Sequence, residues 1–191
     1  MISARSFVKI LGITLFGMLL AVSTIASADT AAKQAKVREQ SQAVLQNLYK
    51  TVPSAKAVIA NAAGYATFRK IGLKIGVVGG GAGRGLAVNK AGNQTYMAFA
   101  EVSAGPGLGV KTFDLIFVFD DAQAMSNFVN KGWEYTGEAT AAAKYEDSGA
   151  ATTLAQSVSP GVRLYQVTKS GLSAEITIKG TKYFKDPKLN K

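Results

Sequence analysis

Residues 30–50 contain neither Gly nor Pro, and Val37, Ser41, Val44, Leu45 and Leu48 fall on one stripe at helical spacing. That pattern predicts an amphipathic helix packed along one face. Pro53 marks its end, and residues 54–63, with Val58 and Ile59 as apolar positions, predict a second short helix. From Gly64 the texture changes. Residues 65–68, 73–78, 86–89, 95–102 and 113–119 are rich in β-formers and separated by glycines. Ala91-Gly92-Asn93 has the composition of a hairpin turn. The run Phe113-Asp-Leu-Ile-Phe-Val-Phe119 is almost wholly apolar, which predicts a central strand buried on both faces. Asp120 or Asp121 then caps a helix reaching about Lys131, with Ala124, Met125, Phe128 and Val129 inward and Gly132 as its stop.

Downstream, residues 137–144 are alanine-rich and helix-compatible, and residues 146–159 read as a loop with weak strand content. Residues 162–168 and 172–179, joined by Lys169-Ser170-Gly171, predict a hairpin, and Tyr183-Phe184 a short edge strand. Strands outnumber helices, and the connections are too short for parallel crossovers. The expected fold class is α+β: a mostly antiparallel, strongly curved, barrel-like glycine-rich sheet with an N-terminal helix and one or two packed helices.

The N-terminus carries a different pattern. Arg5 and Lys9 precede an apolar run over residues 10–22, followed by Ala26-Ser27-Ala28 and Asp29. A basic start, an apolar stretch of 13 residues and a small-x-small site make a secretory signal peptide over residues 1–28, cleaved after Ala28. The run is short of the roughly 20 residues a spanning helix needs. The expected mature chain is one domain, residues 29–191, with its helix at about 30–50, located in the periplasm or secreted.

Composition removes whole function classes. The 191 residues include no Cys and no His. That excludes thiolate metal sites, cysteine nucleophiles and every Ser-His or Cys-His pair. No enzyme activity, metal or cofactor is expected. Two glycine clusters resemble nucleotide loops without matching them. Gly79-Gly-Gly-Ala-Gly-Arg-Gly85 lacks the required glycine spacing, and Gly105-Pro-Gly-Leu-Gly-Val-Lys-Thr112 has Val110 where the second glycine belongs. Strands, not helices, follow both. The glycines are better read as sites of sheet bending or close backbone approach. Asp120-Asp121 could hold a cation, though a helix cap is the commoner use of such a pair.

Charge supplies the positive lead. The formal net charge is +10, and loss of Arg5 and Lys9 leaves 20 basic against 12 acidic residues, or +8. It is unevenly spread. Residues 69–111 hold six basic side chains (Arg69, Lys70, Lys74, Arg84, Lys90, Lys111) and one acid, Glu101. Residues 114–147 hold seven acids and two lysines, and residues 179–191 hold five lysines and Asp186. If the basic blocks share a face, they attract anionic surfaces. Nucleic acid is not the expected partner, because aromatics do not interleave with the cations.

Several segments together resemble one family. Lys74-Ile-Gly-Val-Val-Gly-Gly-Gly-Ala-Gly-Arg-Gly-Leu86, Gly107-Leu-Gly-Val-Lys111, Phe113-Asp-Leu-Ile-Phe-Val-Phe119, Phe128-Val-Asn-Lys-Gly-Trp133, Ser159-Pro-Gly-Val-Arg-Leu-Tyr165 and Gly180-Thr-Lys-Tyr-Phe-Lys-Asp186 resemble, in order and spacing, the SYLF lipid-binding domain family, especially its secreted bacterial branch. The resemblance implies a non-enzymatic domain that binds acidic phospholipids and associates peripherally with membranes. Relatives include phosphoinositide binders and an actin-binding yeast branch. In a bacterial envelope, phosphatidylglycerol or cardiolipin is a more plausible ligand than a phosphoinositide. Arg69, Lys70, Lys74, Arg84 and Lys111 are the expected head-group contacts, with Lys179, Lys182 and Lys185 as additional basic contacts. A structural, protein-interaction role in the envelope and an apolar small-molecule carrier are the alternatives; no protein partner is specified.

Overall fold

The computed structural model describes residues 4–134, 155–168, 171–172 and 180–191, with side chains from residue 28 onward except at 72–78 and 103–111. The chain divides into two compact units, Met1–Lys36 and Val37–Lys191. Helix α1 spans Ala4–Thr51 and contains the expected helix. In the first unit, Lys33 pairs with Asp29 one turn away.

In the second unit the predicted stripe is the buried one. Val37, Ser41, Val44 and Leu48 are all buried. Val44 and Leu48 pack with Ile116, Val118, Tyr165 and Val167, and Val37 with Leu86, Tyr96 and Leu189. The chain turns at Pro53 into α2, Ala55–Asn61, which buries Ala55 and Ile59. These contacts give the stripe an ordinary structural role: it seals one face of the sheet.

The sheet is antiparallel and curled. Two long strands dominate, β1 (Gly64–Asn89) and β2 (Gln94–Phe119). They meet at the expected turn, where Gly92 has φ +85° and its N–H donates to the Asn89 carbonyl at 2.9 Å. Short strands complete the sheet: β3 (Trp133–Glu134), β4 (Gln156–Ser159), β5 (Val162–Thr168), β6 (Gly171–Leu172) and β7 (Thr181–Lys185). Among the described residues the order is β3-β7-β2-β5-β4, with β1 also on β2 and β6 on β5. One side of β2 carries β1 along its length. The other side carries β7 at residues 97–101 and β5 at residues 114–119.

Where glycines were expected to separate strands, the ladder runs straight through them, with one register shift between Gly76 and Val78. A glycine keeps its backbone donor and acceptor, so it interrupts packing but not pairing. The missing side chains let β1 fold back on itself. Thr67 Oγ1 reaches the Leu86 carbonyl at 3.5 Å. A Cβ on Gly85 would stand 2.3 Å from the Thr67 carbonyl oxygen and 2.3 Å from the Phe68 ring.

Residues 113–119 are buried throughout, as their pattern predicts. Leu115, Phe117 and Phe119 join the core on the α3 side, and Ile116 and Val118 join the core on the α1 side. Helix α3, Ala122–Asn130, is capped by Asp121, which accepts from the Ala124 amide at 2.7 Å. Gly132, with φ +74°, follows its end. Met125, Phe128 and Val129 face the sheet. There Phe68, Phe117, Phe128, Trp133 and Tyr183 interlock, with ring centroids as close as 4.8 Å between Phe68 and Tyr183.

Strand β7 corrects one expectation. It is not an edge, because it lies between β3 and β2. Tyr183 is fully buried, so the ring needs a sheet around it. The hairpin after β5 begins as expected, with Val167 opposite Leu172. Its remaining residues, 173–179, lie outside the described residues, as do 137–144 and 146–154.

Candidate interaction face

The expected head-group residues do not form a set of free cations. Arg69 stands opposite Asp114 in the β1–β2 ladder. Its Nε lies 2.7 Å from Asp114 Oδ1 and its Nη2 3.0 Å from Oδ2. Asn47 of α1 donates to the same carboxylate at 2.9 Å. Hydrogen bonding to Asp114 holds the Arg69 guanidinium above its ordinary pKa. Lys70 is 2% exposed and its Nζ lies 2.8 Å from Glu101 Oε1. Burial lowers its pKa, opposed by the hydrogen bond and charge of Glu101. Arg84 Nε lies 2.7 Å from Asp186 Oδ2. Outside the predicted set, Arg163 pairs with Asp120.

These pairings arise in different ways, with Glu101 the single acid within the basic block and Asp186 brought to Arg84 by the return of the C-terminal segment; for Arg69 and Asp114 the cause is strand register. Antiparallel pairing sets the start of the basic block against the start of the acidic block, so charges segregated along the chain meet in space. Arg69, Lys70 and Arg84 thus each sit in an ion pair that joins separate segments of the fold. The other predicted cations differ. Lys111 is in register with Gly72, and Lys74, two positions further along β1, with Gly109; their side chains lie outside the described set. Lys179 also lies outside the described residues. Lys182 and Lys185 are exposed on β7.

Asp186 organises the end of the chain. It accepts from Arg84 and from the amides of Lys188 (2.8 Å) and Leu189 (3.2 Å). Burial pushes its pKa up, but those three hydrogen bonds and the Arg84 charge outweigh it, so the carboxyl titrates below the usual 3.8. A carboxyl depressed in the folded state contributes stability that is present above 3.8 and lost as pH falls through the folded value. Asp186→Asn is expected to cost about 1–3 kcal/mol at neutral pH. Urea midpoints measured from pH 6 downwards should show the deficit shrinking only below about pH 4.

The alternation of β2 and β7 builds a face that the sequence reading did not single out. Glu101 and Phe99 of β2, and Thr181 and Tyr183 of β7, are turned inward to the α3 side. The intervening residues are turned outward. Ala98 is opposite Phe184 and Ala100 opposite Lys182. Val102 follows on the same face. Val102 is 76% exposed, Ile71 56% and Phe184 36%, and these are the exposed large hydrophobics among the described residues. Ile71 alternates with inward Lys70 on β1, so it too points away from the α3 side. Lys182 lies between Val102 and Phe184. The only local clue was the period of two in Thr181-Lys-Tyr-Phe-Lys185, which parts the two aromatics onto opposite faces.

No model of a known protein family matches the chain. It is similar to Beta cell expansion factor A of Aeromonas veronii, with 33% identity over 163 residues, covering 83% of this chain and 60% of that protein, so it spans about three-fifths of the length of the curated relative it matches.

Proposed function

We propose that this chain is a SYLF-type module that is exported to a bacterial envelope and docks, without catalysing a reaction, on bilayers rich in phosphatidylglycerol or cardiolipin. The observation that carries this reading is the placement of Ile71, Val102 and Phe184 away from the packed α3 side, with Lys182 between the last two. Apolar side chains flanked by lysine suit an interface where chains enter the head-group boundary and cations meet phosphate. The β1–β2 ribbon beyond Ile71 and Val102 brings Lys74 and Lys111 to nearby ladder positions, which extends the basic character from the same place. Arg69, Lys70 and Arg84 act in this reading as internal braces, not as head-group ligands. The α1 stripe is not needed for docking, because it is already buried in the fold. Against a carrier role stands the α3 side of the sheet, filled by interlocked rings.

Cosedimentation with phosphatidylglycerol-containing and pure phosphatidylcholine vesicles, at low and high salt, tests the proposal. Binding is expected only to the anionic vesicles and should weaken with salt. Lys182→Ala should weaken it about fivefold, the worth of about 1 kcal/mol per cation near an anionic surface. Val102→Ser with Phe184→Ser should weaken it about tenfold or more. Equal binding to neutral vesicles, or none to anionic ones, would sink the proposal.

A further inference from the structure

Directly behind Ile71 and Val102, their chain neighbours Lys70 and Glu101 turn the other way, into the sheet's α3 side. There a small polar cluster closes the end of the aromatic core. Glu101 has Thr181 opposite it on β7 and Gly81 opposite it on β1. Tyr183 follows Thr181 on the same side of β7. Thr181 and Tyr183 are fully buried, and the Glu101 side chain is 8% exposed. Lys70 occupies one carboxylate oxygen of Glu101 at 2.8 Å. Among the described residues, the other oxygen, Glu101 Oε2, has no hydrogen-bond partner, and neither do Thr181 Oγ1 and Tyr183 OH. Buried polar atoms left in that state are costly, and three in adjoining positions call for a shared explanation. Gly81 faces the cluster without a side chain: a Cβ there would lie 3.0 Å from the Ile71 carbonyl oxygen and 3.4 Å from Oε2.

We propose that Glu101, Thr181 and Tyr183 form a site for one neutral hydroxyl group. That hydroxyl donates to Glu101 Oε2 and accepts from Thr181 Oγ1 and Tyr183 OH, so a single oxygen satisfies all three orphaned atoms. The charges select the class. Lys70 and Glu101 neutralise each other, an entering anion meets the carboxylate, and an entering cation meets the ammonium. Tyr183 keeps its proton to donate, because burial and then the Glu101 charge hold its pKa well above the ordinary value, against a smaller lowering by the nearby Thr181 hydroxyl. The hydroxyl can belong to a water or to a polyol such as glycerol. This site is separate from the outward face and does not depend on lipid docking.

Thermal unfolding of the full chain tests it through Tyr183→Phe and Thr181→Val, which remove only the polar groups and keep the shapes. If a hydroxyl is bound, each variant unfolds several degrees below the parent. The double variant then loses less than the sum, because both groups donate to one oxygen. A dry cluster predicts the opposite: the variants unfold at or above the parent temperature, since each removes an unsatisfied group, and that result overturns the proposal. Magnetisation transfer to the Gly81 and Thr181 amides identifies the source. Cross-peaks to water that persist in added glycerol assign a water. Their replacement by glycerol cross-peaks assigns a polyol. Cross-peaks to neither overturn the proposal.

Discussion

Glu101→Ala is expected to lower the unfolding free energy by about 3–5 kcal/mol, the usual cost of removing one member of a buried ion pair. The variant leaves the Lys70 ammonium at 2% exposure without the carboxylate that stood 2.8 Å away. Lys70 already titrates below its ordinary value because of burial, so its charged form has little solvent to fall back on. The companion variant Lys70→Met with Glu101→Leu removes both charges and keeps the volume. It should recover most of the loss, since well-packed apolar replacements of buried pairs are often neutral or better. Breaking the half-exposed Arg69–Asp114 pair from the arginine side, as Arg69→Met, should cost less, because the Arg69 side chain is 34% exposed and water compensates part of the lost contact. Urea denaturation of these variants checks the ranking. A Glu101→Ala variant within about 1 kcal/mol of the parent would mean that Lys70 escapes to solvent, contradicting the clasp assigned to the pair.

The parts of the fold legible in the sequence are those set by neighbours a few residues apart. The α1 stripe, the doubly buried run 113–119, the Asp121 cap and the Gly132 stop are each local patterns, and the structure has all of them. What escaped is set by distant strands. The basic block looked like a free surface because its partners lie far along the chain: Asp114 is 45 residues from Arg69, and Asp186 is 102 from Arg84. Only the register of β1 on β2 and the return of the C-terminal segment bring them together. Strand β7 looked like an edge because five residues with two lysines are too short and too polar to announce a place inside a sheet. The exposed positions Ile71 and Val102 are indistinguishable in sequence from the buried apolar residues around them. Their exposure is set by what the rest of the fold packs, or fails to pack, over them, which is tertiary information.

Gly85→Ala is the second large expected effect, and it tests why the strands are glycine-rich. The added methyl would lie 2.3 Å from the Thr67 carbonyl oxygen and 2.3 Å from the Phe68 ring. Phe68 cannot simply rotate, because it packs against Phe99, Phe117, Phe128 and Tyr183. The carbonyl cannot retreat without pulling the first half of β1 off the second. A loss of about 3 kcal/mol or more is expected, at the upper end of overpacking costs. Gly83→Ala meets a different obstacle, the Phe99 ring at 2.6 Å, with no backbone atom among its nearest neighbours. It should cost less, and Phe99→Leu should restore part of what it loses, whereas no single side-chain change should rescue Gly85→Ala. Thermal unfolding of the four variants separates the two cases. Equal losses at both glycines, or rescue at Gly85 by trimming Phe68, would show that the glycines serve ring packing alone. The predicted asymmetry instead identifies Gly85 as the point where one strand bends far enough to rest its backbone on itself, a close approach that only a residue without a side chain allows.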